Sequence, residues 1–189
     1  MIALAVEGKH DVRFLTDFIT EHFQKESEKD YYFIQLDGKD NLKLEEKKKR
    51  ILESNDKGDK ILIVLDADND CQGRKQLLES YKNNNALDCD YFTMPDNNNS
   101  GDLEDLLFSL IPEPKAGFFG CFATFEQCVI GLGDGFEVPL KKSKVYAYLD
   151  STNRDEQNDA AIRTYLNDCW DLNSVSVNPL KDFLAQYFS

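Results

Sequence analysis

Residues 60–70 read KILIVLDADND. Five aliphatic side chains run without a break from Ile61 to Leu65, and three of them are β-branched. No polar residue alternates with them, so neither face of this segment is suited to water. That is the pattern of a strand buried on both faces, as in a parallel sheet covered by helices on both sides. The strand then runs into Asp66, Asp68 and Asp70 at a spacing of two. Its reading sets the fold class, and the acids at its tip set the question of function.

Working outward, the same alternation recurs. Residues 2–6 (IALAV) form a short apolar strand that stops on Glu7-Gly8. Residues 10–24 follow as an amphipathic helix, 31–36 as a strand, and 41–54 as a charged helix closed by the turn Asn55-Asp56-Lys57-Gly58. After the central strand come a helix from Gly73 to Tyr81 and a strand from Cys89 to Met94. Strands alternating with helices imply an α/β fold with a mainly parallel, Rossmann-like sheet of about four strands.

The second half differs. A polar loop, PDNNNSG (95–101), leads to a helix over 102–110 and a break at Pro112 and Pro114. Beyond it, helices are expected at about 120–131, 140–150, 156–170 and 179–188. The expected organisation is an α/β region, 1–115, with a helical C-terminal region, 116–189, packed on it as one structural unit.

The acids carry the chemistry. Residues two apart in an extended segment point the same way. In a parallel sheet the strands ending at Glu7 and Asp66 finish at the same edge, where open α/β folds bind ligands. Two carboxylates ~4 Å apart repel by roughly 4 kcal/mol at an effective dielectric near 20. Several together would consume much of the ~5–15 kcal/mol that holds a domain folded. Either they point apart into water, or protons or a cation hold them. Oxygen-only ligands favour Mg²⁺ or Mn²⁺, with Ca²⁺ as the alternative. The plain reading is that each acid serves a helix N-terminus.

Two familiar loops are excluded. An EF-hand starting at Asp66 would need glycine where Cys71 stands and glutamate where Leu77 stands. A phosphate-cradling loop needs GxxxxGK[ST], which Glu7-Gly8-Lys9-His10 does not supply.

Glu7-Gly8-x-x-Asp11 after the first strand, with Asp66-x-Asp68-x-Asp70 after a later buried one, resembles the toprim domain. That domain occurs in topoisomerases, bacterial primases, small ribosomal-RNA maturases and the overcoming-lysogenization-defect (OLD) nucleases. The resemblance covers about residues 1–110. It implies a toprim-like sheet, Glu7 as general acid/base or metal ligand, and Asp66 and Asp68 as ligands of Mg²⁺. Asp70 matches a third, more variable acid, and Asp11 would join Glu7. MPDNNNSGDLEDLL (94–107) is similar to a group of small bacterial toprim proteins related to the nuclease branch, which maps a further ligand to Glu104. That branch also uses a later lysine. LKKSKVYAYL (140–149) offers Lys144, with Lys142 as runner-up.

Composition bounds what such a site could serve. The chain has 189 residues, a net charge of −13 and a pI near 4.6. That argues against coating nucleic acid by bulk attraction and does not exclude nucleic acid, because a divalent metal or a local basic face can reverse the sign at one site. KLEEKKKR (43–50) carries five basic and two acidic residues, the pattern of a solvated helix face. His10 reads as a polar residue of the first helical turn, and Tyr146 as packing. No run reaches the ~18 apolar residues of a membrane span. The N-terminus lacks the pattern of a signal peptide, and five cysteines with no CxxC pair fit a reduced, cytoplasmic setting.

The leading expectation is Mg²⁺-dependent phosphodiester cleavage of DNA or RNA. The rivals are a non-catalytic metal- or nucleotide-binding module acting with a partner protein from a neighbouring gene, and a hydrolase of a small phosphorylated molecule.

Overall fold

A computed structural model describes residues 1–38, 41–152 and 164–188. Four strands form one parallel sheet: β1 (Ile2–Val6), β2 (Tyr31–Gln35), β3 (Lys60–Asp66) and β4 (Cys89–Met94), in the order β2-β1-β3-β4. Between them run α1 (Lys9–Phe23), α2 (Glu45–Asp56) and α3 (Cys71–Asn84). The C-terminal half supplies α4 (Leu103–Ser109), α5 (Gly117–Gly131), α6 (Lys141–Thr152) and α7 (Asn178–Ala185). The protein is an α/β fold with a helical C-terminal region. No helix among the described residues is long and apolar enough to cross a membrane.

The period-two alternation of the strands sorts the core into two layers. Leu4, Val6, Leu62, Val64, Phe92 and Met94 face one side, where Phe14, Leu15, Phe18 and Ile19 of α1 cover them. Ala3, Ala5, Ile61, Ile63 and Leu65 face the other side, against Ile51 of α2 and Leu78 of α3. Ile61 through Leu65 are all fully buried, as the aliphatic run requires.

α4, α6 and α7 share the α1 side. Leu106, Leu107, Tyr148, Leu180 and Leu184 join the same cluster as the sheet residues. Polar contacts fix their placement. Tyr148 donates to the carbonyl of Cys169 at 2.7 Å, Asp17 accepts from the backbone of Tyr165 at 2.6 Å, and Tyr187 donates to Asp90 at 2.8 Å.

Most expected elements are present with small shifts of their ends. The helix expected from Gly73 to Tyr81 is longer at both ends, running from Cys71 to Asn84. The charged helix begins as a 3₁₀ turn, Asn41–Lys43, before α2. Of the helix expected over 156–170, residues 156–163 lie outside the described residues. Residues 164–170 form turns and bends instead.

The strand order places the site. From β1 the chain crosses to β2 on one flank, and from β3 to β4 on the other. α1 and α3 consequently lie on opposite faces, and a crevice opens between the C-terminal ends of β1 and β3.

Candidate functional site

Glu7 and Asp66 stand at that crevice. Val6 is in register with Val64, so the two acids leave neighbouring strands within one residue of each other. Asp66 has the same parity as Leu62 and Val64, so its side chain projects to the face covered by α1 and α4. Those helices bring Asp11 and Glu104.

Asp11 sits in the first turn of α1 and accepts a bond from the backbone N–H of Gly8 at 2.8 Å. It is a capping residue by geometry, yet only 6% exposed. Gly8 itself is extended (φ −156°), so the turn does not depend on glycine's freedom here.

Glu104 reaches the site through a backbone link. Asp68 and Gly101 form an antiparallel bridge, each N–H donating to the other's carbonyl at 2.7 Å. The link ties the loop after β3 to the loop before α4. The backbone N–H of Leu103, at the start of α4, then donates to Asp66 Oδ1 at 2.9 Å. Glu104, the next residue, is 8% exposed. Gly101 has φ +146°, and a Cβ there would lie 2.7 Å from Asp105 and 3.0 Å from Pro95, so glycine is required.

Glu7, Asp11, Asp66 and Glu104 line a cavity of about 160 Å³ with Lys9, His10, Asp37 and Lys142. Burial, then the charges of Asp11, Glu7 and Glu104, push the Asp66 carboxyl up to about 8. The Leu103 N–H only partly offsets this. Asp11 and Glu104 are also raised, in each case chiefly by burial. Lys142 Nζ lies 3.8 Å from Glu104 Oε1 and opposes the shift there. Among the described residues, no three carboxylate, imidazole or thiol groups stand close enough to hold an ion as they are.

Asp68 and Asp70 are placed elsewhere. Asp68 has a left-handed backbone (φ 53°), and its carboxylate meets Arg74 at 2.6 Å. The spacing-two argument needs an extended chain, and β3 ends at Asp66. Asp70 caps α3, accepting from the backbone of Gly73 at 2.9 Å. Neither lines the cavity.

Lys144 is not at the cavity. It pairs with Glu126 at 3.2 Å and lies 5.0 Å from the ring centre of Phe122. Lys142, two residues earlier, is the lysine at the acids. At 100° per residue the two lysines point about 200° apart, so they meet different parts of α4: Lys142 the acid Glu104 in its first turn, and Lys144 the Phe108 ring near its end, 5.8 Å from the ring centre. The sequence alone marks His10 and Tyr146 as ordinary polar and packing residues. They form a hydrogen bond of 2.5 Å across α1 and α6, and His10 lines the cavity. The usable signal was the i, i+4 spacing of Lys142 and Tyr146, which puts both on one face of α6.

Against the curated proteins and the solved structures the chain finds no match. A family model does match it, over residues 1–189. The chain belongs to that family, described as a protein of unknown function (DUF3226).

Proposed function

We propose that this protein binds Mg²⁺ or Mn²⁺ among Glu7, Asp11, Asp66 and Glu104 and cleaves phosphodiester bonds in nucleic acid. The observation that carries the reading is the buried, mutually repelling acid cluster, with Asp66 raised to about 8 at the switch point of a parallel sheet. Its resemblance to the toprim site at Glu7, Asp11 and Asp66 points the same way.

A bound divalent cation supplies charge neutralisation and Lewis acidity toward a phosphoryl oxygen. Glu7 is the proton acceptor for the attacking water. Lys142, on the rim, holds the scissile phosphate and offsets its developing charge. Asp68 and Asp70 serve the loop and the helix cap in this reading. A cavity of about 160 Å³ takes a phosphoryl group but not a nucleoside. The strand therefore lies across the opening, with only its backbone entering.

Incubation with single-stranded DNA, duplex DNA, RNA and nucleotides, in Mg²⁺ and then Mn²⁺, tests the proposal. Metal-dependent cleavage that Glu7→Gln abolishes supports it. Activity that survives Glu7→Gln defeats it.

A second reading is a metal- or nucleotide-binding module without turnover, working with a partner protein. One observation favours it: the net charge of −13 repels polyanions. Metal binding with silence on every substrate, both alone and with the neighbouring gene's product, selects it.

A further inference from the structure

The face of the sheet away from the acids carries a larger opening. α2 and α3 cover that face side by side without packing closely on one another. Between them lies a groove of about 530 Å³, against about 160 Å³ for the acid cavity, and the two share no lining residue. The volume falls within the roughly 300–1,000 Å³ of sites that take small organic molecules.

One wall is α3. Leu77, Ser80, Tyr81 and Asn84 follow at spacings of three, one and three, so they share one face of the helix. Tyr81 is buried and Leu77 half-buried, which makes them the floor, whereas Ser80 and Asn84 are exposed and make the rim.

The other wall carries charge: Lys43, in the 3₁₀ turn, and Lys48, in α2. Their run, KLEEKKKR, divides by partner. Lys47 pairs with Asp37 at 2.6 Å and Lys49 with Glu53 at 3.8 Å, whereas Lys43 and Lys48 have no ion pair among the described residues. No carboxylate lines the groove. Glu45, one turn before Lys48, is exposed and outside the lining. Glu79, beside Ser80, is turned away and accepts from Tyr91 and Asn83, each at 3.2 Å. In a chain with 35 acids against 22 lysines and arginines, the groove is a local reversal of sign.

Charge and shape together select the occupant. Two ammonium groups repel a metal cation. Inorganic phosphate fills only a small part of the groove. A carboxylate is matched best by the fork of an arginine, and no arginine lines this site, whereas lysine serves phosphate as a point charge. A phosphate monoester carries a charge of about −2 at neutral pH, which two lysines neutralise. The opposite wall is the C-terminal half of α3, where the helix dipole is negative and the Asn84 carboxamide offers an acceptor. That end disfavours a second phosphate and suits the hydroxyls of a sugar or the amino group of a base. Leu77 supplies apolar contact between the two ends.

We propose that the groove between α2 and α3 binds a nucleoside monophosphate, with its phosphate on Lys43 and Lys48 and its nucleoside along α3. The site is separate from the acids and requires neither a metal nor cleavage there.

Calorimetric titration of the full chain with AMP, GMP, CMP and UMP in EDTA tests it, because chelation removes any metal bridge to the acids. Saturable binding of one nucleotide per chain is expected for at least one of the four. It should be about tenfold or more tighter than binding of the matching nucleoside or of inorganic phosphate. The double variant Lys43→Ala/Lys48→Ala removes both charges. Ser80→Trp fills the groove from an exposed position. Each weakens nucleotide binding about tenfold or more, with circular dichroism unchanged.

No binding of any of the four overturns the proposal. Inorganic phosphate bound as tightly as the nucleotide overturns it too, since that leaves an anion site with no place for a nucleoside. Binding that both variants retain, or that Asp66→Asn removes, puts the nucleotide elsewhere and equally overturns it. A single-stranded oligonucleotide held through Lys43 and Lys48, with no mononucleotide bound, assigns the groove to a nucleic-acid strand instead.

Discussion

Asp66 concentrates the conflict that defines this molecule. Its carboxyl is raised to about 8, first by burial and then by Asp11, Glu7 and Glu104. From about pH 4 to 8 the folded chain keeps a proton that the unfolded chain has released. Stability therefore falls as pH rises through that window, and the loss is complete above it. Asp66→Asn removes the charge but keeps an oxygen for the Leu103 N–H. It is expected to flatten the pH dependence and to stabilise the metal-free protein at pH 8 by an amount on the order of a few kcal/mol. Urea midpoints at pH 5 and pH 8 check this, and a variant no more stable than wild type at pH 8 rejects it. The two lysines separate in the same way. Under the nuclease reading, Lys142→Ala lowers kcat by about 10²-fold, whereas Lys144→Ala leaves kcat nearly unchanged and lowers Tm instead. Glu7 and Asp66 were legible as neighbours because each follows a strand whose position the aliphatic runs dictate, whereas Asp11 and Glu104 were pointed to only by the toprim resemblance. The direction of Asp68 was not legible, because it depends on a left-handed backbone that spacing cannot reveal.

At the scale of elements, the strands were legible because burial on both faces leaves little choice of residue. β1, β3 and β4 coincide with the aliphatic and aromatic runs. α6 was legible as a helix, but its face toward the site was not. That face is set by Lys141 clamping Asp102 at 3.0 Å and Asp105 at 2.6 Å, a tertiary choice. The link from Asp68 to Gly101 is another such choice, and it decides whether α4 delivers Glu104. Gly101→Ala places a Cβ against Asp105 and Pro95 at a φ of +146°. The expected cost is about 1–3 kcal/mol. If the cleavage reading holds, loss of activity should exceed that of an equally destabilising change in α7, because the shift displaces α4 directly. Thermal melts beside metal-dependent activity check both parts. An unchanged Tm removes the argument that the bridge holds the loop.

For the whole molecule the question is how a chain of net charge −13 tolerates four acids at one sheet edge. Protons are one answer and a divalent cation is the other, and the two compete. Each ion bound must displace the proton that Asp66 holds at neutral pH, so affinity for Mg²⁺ or Mn²⁺ should rise with pH up to about 8. Calorimetry in two buffers of different ionisation enthalpy reads the released proton directly. The same linkage appears in stability. At a hundred times its dissociation constant, one ion adds about 2.7 kcal/mol. Screening of the general negative charge by salt also stabilises, so magnesium chloride must be compared with sodium chloride at equal ionic strength. The expected result is a rise in Tm specific to the divalent ion, larger at pH 8 than at pH 6. Asp66→Asn should lose that rise while keeping the ordinary salt effect. An equal rise in both proteins assigns the stabilisation to surface charge and leaves the acid cluster as a proton-holding feature of the fold. A rise in the wild type alone ties the ion to Asp66, because no other acid of the cluster accepts the Leu103 N–H and feels the charges of the other three at once.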